Sequence, residues 1–146
     1  MPAIMSKIIL LLYKKLKDMN FSFIKAIIWA TLIFIGSSIS GNSLNEIKFI
    51  NIPGLDKIIH FTLYFVLTMF VLAGTDKWLG KIKFIFFFII VLMCVSYGAL
   101  IEYLQGTLFV ARSMDIFDFI ANSIGVIVGA ILFSGLYKRK FWKRVL

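Results

Sequence analysis

Histidine and cysteine each occur once in 146 residues, and charged residues make up only 16% of the chain. These shortages exclude mechanisms before any motif is read. Cys94 has no partner within the chain, so it forms no intrachain disulfide, and its expected role is that of a small buried hydrophobe midway along an apolar stretch. His60 alone excludes a two-histidine phosphatase and makes a His-rich zinc site improbable within one chain. Neither a nucleophilic serine elbow nor a phosphate-cradling glycine loop occurs. There is no internal repeat, so the inverted-repeat architecture of many secondary transporters would have to come from a homo-oligomer.

What the chain has in abundance is apolar surface: 61% of residues are hydrophobic and 16% aromatic, far from the usual globular mix. The apolar residues fall into four stretches, about residues 23–40, 58–74, 84–104 and 116–136. Each is close to the roughly 20 residues a membrane-spanning helix needs. The runs are apolar on both faces, whereas barrel strands would alternate over about ten residues. The expectation is an all-α integral membrane protein, a bundle of four transmembrane helices over residues 23–136. A basic amphipathic segment at 1–22 precedes it and a basic tail at 137–146 follows. The connection at 41–57 is too short to hold a core of its own, so any chemistry belongs to the bundle or its rim.

The first stretch also faintly resembles a secretory signal, with basic residues before it and Gly36, Ser37, Ser38, Ser40 and Gly41 at its end. It is long for that role and no Ala-x-Ala site closes it, so a retained span is preferred. Ile4 to Leu16 would lie along the inner membrane surface as a short helix, with Phe141 and Trp142 anchoring the other end.

A net charge of +9 invites a nucleic-acid reading, but the basic residues are distributed as the positive-inside rule requires. Thirteen of the sixteen lie in the amino-terminal segment and the start of the first span (to Lys25), the loop around Lys77, Lys81 and Lys83, or the tail. Only Lys48, Lys57 and Arg112 fall on the other side. Both termini are therefore expected in the cytoplasm, with basic residues resting on anionic membrane lipid rather than on nucleic acid.

This topology gathers the unusual residues at one end. The second span opens with Asp56, Lys57 and His60, the third closes with Glu102 and Gln105, the fourth opens with Asp115 and Asp118, and Arg112 lies in the loop between. Helical spacing sorts them into three stripes: Asp56, His60 and Tyr64; Gly98, Glu102 and Gln105; Asp115, Asp118, Asn122, Gly125 and Gly129. A charged group at bilayer depth costs roughly 2.5–3.5 kcal/mol on insertion scales, so the stripes should face one another rather than lipid. Gly98, Gly125 and Gly129 would let the backbones approach, leaving a polar pocket above them.

Each residue also has a structural reading. Asp56 follows Pro53-Gly54 and reads equally as an N-cap; Asp115 reads as a cap of the fourth span, with Asp118 near N3. Arg112 is the expected counter-ion of Glu102 and Asp118. Gln105 and Asn122 read as interhelical glue or as ligands. His60, Glu102 and Asp118 are the candidates for acid-base catalysis, and all eight residues, with Asp56, Gln105, Arg112, Asp115 and Asn122, are candidates for ligand binding. With Lys57 and Arg112 against four carboxylates, the pocket should be acidic. That favours an amine-bearing ligand, or a phosphate bridged by a hard divalent cation, although no clear metal motif occurs.

Asp56-Lys57-Ile58-Ile59-His60-Phe61 with Tyr64, then Tyr97-Gly98 with Glu102 and Gln105, then Arg112, Asp115, Asp118, Asn122, Gly125 and Gly129 resemble the pattern of the VanZ-like membrane protein family. The resemblance covers about residues 53–130. It implies a place in the bacterial cytoplasmic membrane and a role in the cell envelope, and it suggests antibiotic resistance, because the family is named for a protein associated with teicoplanin resistance. It implies no settled reaction. Three readings follow: a protein that binds or handles a lipid-linked envelope precursor or a phospholipid head group, an integral-membrane enzyme acting on the same class, or a structural, partner-binding membrane subunit.

Overall fold

The computed structural model describes residues 2–39, 54–137 and 146, the side chains at 2–5, 14–20 and 134 excepted. Lys48 and the expected anchors Phe141 and Trp142 lie outside the described residues. Among the described residues the fold has four α-helices, α1 (Pro2–Ser38), α2 (Leu55–Leu79), α3 (Phe84–Thr107) and α4 (Ile116–Tyr137), and no strand. Each contains a segment long and apolar enough to cross a membrane. The expected class, an all-helical membrane protein with four spans, is the one observed.

Helix α1 is 37 residues long, about 55 Å at 1.5 Å per residue, well beyond the roughly 30 Å of a hydrocarbon core. Only Phe21–Ser38 qualifies as its span. The stretch 4–16, expected as a separate surface helix, instead continues into the span without a break. The reason is local: no glycine or proline occurs between residues 3 and 35 to stop the helix. Helix α2 is bounded by glycines at both ends. Gly54 and Gly80 take φ of 79° and 76°, a left-handed conformation that side chains disfavour, and the Gly80 N–H donates to the Asp76 carbonyl at 2.7 Å to close the last turn.

Helix α2 is the central element. Half of its span is buried, against 22% for the spans of α1 and α3, and it touches all three other helices. Its closest neighbour is α4, and glycine is the cause. A Cβ at Gly125 would collide with the Phe61 carbonyl oxygen, and one at Gly129 would stand 2.9 Å from the Phe65 carbonyl oxygen. Gly98 of α3 has the same function against Asn122 and Tyr64, each 3.3 Å from a Cβ placed there. The GxxxG pattern is thus used within the chain, to bring α4 onto α2. Around these contacts Leu67, Met69 and Leu72 of α2, Cys94 and Ile101 of α3 and Val126 of α4 form the core. Cys94 is buried there, as expected of a small hydrophobe.

Helix α1 is held more loosely. The Trp29 indole N–H donates to the Leu63 carbonyl at 2.9 Å and the Tyr97 hydroxyl to the Ala30 carbonyl at 2.7 Å. At the end remote from His60, the Phe23 ring lies 3.0 Å from where a Cβ on Gly74 would be, so α1 and α2 are tight there. Large hydrophobic side chains cover the outer faces of α1, α3 and α4, among them Ile28, Leu92 and Ile131. Such a surface is suited to lipid rather than water.

Candidate functional site

The first turns of α2 and α4 and the last turns of α1 and α3 meet at one end of the bundle. There Lys57 is the hub. Its ammonium lies 2.6 Å from Asp118 Oδ1, 2.7 Å from Asp115 Oδ2 and 3.3 Å from Asp56 Oδ2. One cation thus joins α2 to α4 through three carboxylates. Arg112, the expected counter-ion, pairs with no carboxylate among the described residues. Its Nε donates to the Ile39 carbonyl at the end of α1, 3.2 Å away. The expectation is corrected for a geometric reason: Lys57 belongs to the helix already pressed against α4, whereas Arg112 sits in the loop beyond it, after Ala111 at a φ of 55°.

A second set of contacts runs through His60. The Asn122 amide, fully buried, donates from Nδ2 to Glu102 Oε1 at 3.3 Å. Its Oδ1 is thereby turned to His60 Nδ1, 3.0 Å away. An amide oxygen only accepts, so Nδ1 carries the proton and donates it. In the neutral ring Nε2 then bears the lone pair, 3.6 Å from Asp56 Oδ1 and 3.8 Å from Asp118 Oδ2. Glu102 is 2% exposed, and its second oxygen accepts the Asp115 backbone N–H at 3.4 Å.

Asp115 is the cap that its spacing suggests: Oδ1 accepts the Phe117 N–H at 2.8 Å, and its carbonyl accepts the N–H groups of Asp118 and Phe119. In a capping box the N3 carboxylate would reach back to the cap's own N–H. Here Glu102 of α3 takes that place, and Asp118 is left to pair with Lys57. The Lys57 ammonium, and then the Phe117 N–H, hold the Asp115 carboxyl below the usual aspartate range. Asp56 is not a cap, since Gly54 occupies the N-cap position of α2 and no side chain bonds there. It is instead part of the polar cluster, and at 43% side-chain exposure it is the most open of the four carboxylates.

Beside this cluster, between α1 and α2, lies a cavity of about 260 Å³. Leu32, Ile33, Ile59 and Leu63 supply its apolar wall, Gly36 and Ser37 line it from α1, and its polar groups are Asp56, His60, Tyr64, Gln105 and Arg112. Gln105 reaches across from α3, its Nε2 donating to the Ser37 carbonyl at 3.4 Å. His60 belongs to both regions, bonded to Asn122 on one side and lining the cavity on the other.

A family model described as VanZ/LLP1 matches residues 7–138. The chain belongs to the VanZ/LLP1 family. The match takes in the whole polar cluster, and it extends into α1 beyond the 53–130 range of the motif resemblance. No curated protein and no solved structure matches the chain. With its four apolar helices, this VanZ/LLP1 member is a multi-pass membrane protein.

The three stripes predicted from spacing do converge, but the pocket is not above the glycines. The contacts of Lys57, His60 and Asn122 lie where the stripes meet, and the cavity lined by Asp56 and His60 is on the α1 side. Sequence reasoning missed two contributors. Lys57 was placed at the opening of the second span but given no role beyond its charge, although a lysine in the first turn of an apolar helix, amid carboxylates, is a signal in itself. The α1 wall was missed because Gly36 and Ser37 read as the end of a signal-like run. With Arg112 at the rim, four carboxylates face one ammonium, so the cluster is more acidic than the sequence count suggested. Asp56, His60 and Asp118 each offer a ligand atom within 4.8 Å of the others, a set suited to a hard divalent cation, but Lys57 occupies the same carboxylates.

Proposed function

We propose that this VanZ/LLP1 member binds or handles a lipid-linked component of the bacterial cell envelope at the outer leaflet of the cytoplasmic membrane. One observation carries the reading: the apolar wall of Leu32, Ile33, Ile59 and Leu63 runs into Asp56 and His60 within a single cavity. An amphiphile requires that junction, a dry surface for its chain continuous with polar groups for its head. The basic residues, concentrated toward the termini and the α2–α3 loop, support cytoplasmic termini and so an outward-facing His60 end. The proposal extends to tolerance of teicoplanin, the glycopeptide with which the family's namesake is associated.

The test is genetic and chemical together. His60→Ala and Glu102→Gln, at unchanged membrane abundance, are expected to alter the envelope lipid or precursor pool and teicoplanin tolerance. Unchanged lipid profiles and tolerance across Glu102→Gln, Arg112→Gln and Asp118→Asn would reject the reading.

A second reading, an integral-membrane enzyme acting on the same class of amphiphile, is supported by the His60 ring. In the neutral ring its Nε2 lone pair is 3.6 Å from Asp56 and 3.8 Å from Asp118, an arrangement in which a general base can take a proton and pass it on. Purified protein incubated with labelled lipid precursors separates the two: retained binding without any product rejects the enzyme.

A further inference from the structure

The two signs of charge at the cavity rim restrict the ligand further than amphiphilicity alone. Asp56 and Arg112 both line the cavity, one from the first turn of α2 and the other from the α3–α4 loop. Lys57 is closer to Asp118 and Asp115 than to Asp56, so the surplus negative charge of the cluster is least neutralised at Asp56. Next to it, in the neutral ring, His60 Nε2 offers a lone pair. Carboxylate and lone pair together accept N–H donors, which a primary ammonium has and a quaternary one lacks. Arg112 uses Nε on the Ile39 carbonyl, leaving its Nη groups uncommitted among the described residues and suited to a phosphate. One turn deeper than His60, Tyr64 lines the same cavity. It is 1% exposed, and its hydroxyl is a buried polar group beside the cavity with no hydrogen-bond partner among the described residues.

We infer that the cavity takes a zwitterionic amphiphile, its primary amine held by Asp56 and His60, its phosphate by Arg112, and its chain against Leu32, Ile33, Ile59 and Leu63. This rests on the amphiphile-binding reading above and names the head group for it.

The experiment uses the full chain in nanodiscs of a neutral glycolipid, with empty discs as reference. Equilibrium binding is measured for dodecylphosphoethanolamine, dodecylphosphocholine, dodecyl phosphate, dodecylamine and chain-free phosphoethanolamine. Dodecylphosphoethanolamine is expected to bind about tenfold more tightly than each of the others, the scale of one charge-assisted hydrogen bond. Asp56→Asn should abolish its advantage over dodecyl phosphate, and Arg112→Gln its advantage over dodecylamine. Gly36→Leu, at a position where an added Cβ meets nothing within 4 Å, should block every dodecyl probe by filling the cavity. The ranking on the unmodified protein decides the question even where a variant fails to fold. Equal affinity for dodecyl phosphate or dodecylamine, still blocked by Gly36→Leu, would overturn the zwitterionic head group and leave amphiphile binding standing. Equal affinity for chain-free phosphoethanolamine would overturn the lipid as its source, and absence of binding by any dodecyl probe would reject both readings.

Discussion

The two sides of α2 are built in opposite ways. Toward α4 it meets Gly125 and Gly129, and the helices approach until no side chain fits between the Phe61 and Phe65 carbonyls and the opposing backbone. Toward α1, near His60, it faces a cavity of about 260 Å³, and Gly36 on the far wall has open space around it. One side is rigid and holds the charged groups in register; the other leaves room beside them. His60 stands where the two meet, so a contact set by the closed side orients a ring that faces the open one.

Glycine substitutions are the most severe way to break this contrast. Gly125→Ala places a methyl group against the Phe61 carbonyl oxygen and is expected to cost about 3 kcal/mol or more, from overpacking against backbone that cannot turn aside. Gly36→Ala, in an exposed helical position with nothing nearby, should lie within about 0.5 kcal/mol of the parent, or be slightly more stable through helix propensity. Unfolding of the purified proteins in detergent checks both, and equal losses at the two positions would remove the distinction.

Lys57→Met tests what the closed side holds together. Three carboxylates would lose their shared cation, at an expected cost of about 2 kcal/mol, below the range for a fully buried pair because Lys57 is 37% exposed. Adding Asp118→Asn should restore part of that loss, since it removes the least exposed of the three charges left behind. A double variant no more stable than Lys57→Met alone would show that the ion pair does not couple α2 to α4.

Asp115→Ala removes the α4 cap and should cost about 1 kcal/mol. The same carboxyl sharpens the comparison through pH. Its pKa is lowered in the folded chain by Lys57 and the Phe117 N–H. The stability it contributes is therefore complete above the unfolded aspartate value, about 3.9, and is lost as pH falls through the lower folded value. Below about pH 4 the parent should lose stability more steeply than Asp115→Asn, and parallel acid limbs would contradict this. The smallest effect is expected at Ala111. Its φ of 55° favours glycine, so Ala111→Gly should stabilise the α3–α4 loop by at most about 1 kcal/mol.

Much of this was legible before any coordinate. Periodicity is local information, so the assignment of Glu102 and Gly98 to one stripe and of Asp118, Asn122 and Gly125 to another needed only 3.6 residues per turn. The Asp115 cap was readable for the same reason, since a cap depends on its own helix. Asp56 failed as a cap because Gly54, two residues earlier, starts the helix in its place. Helix-breaking residues also explain α1: their absence from residues 3–35 makes one long helix where amphipathic composition suggested two elements.

The order of residues alone set the material of the molecule: four apolar stretches, basic residues gathered near the termini and one loop, three polar stripes and glycines for close approach. Each follows from chain composition and helical pitch, which no tertiary contact alters. Packing settled that Lys57 rather than Arg112 neutralises the carboxylates and that α1 walls the cavity. Those outcomes depend on which helices press together and how far each side chain reaches, and distances between separate helices are not encoded in the spacing along any one of them.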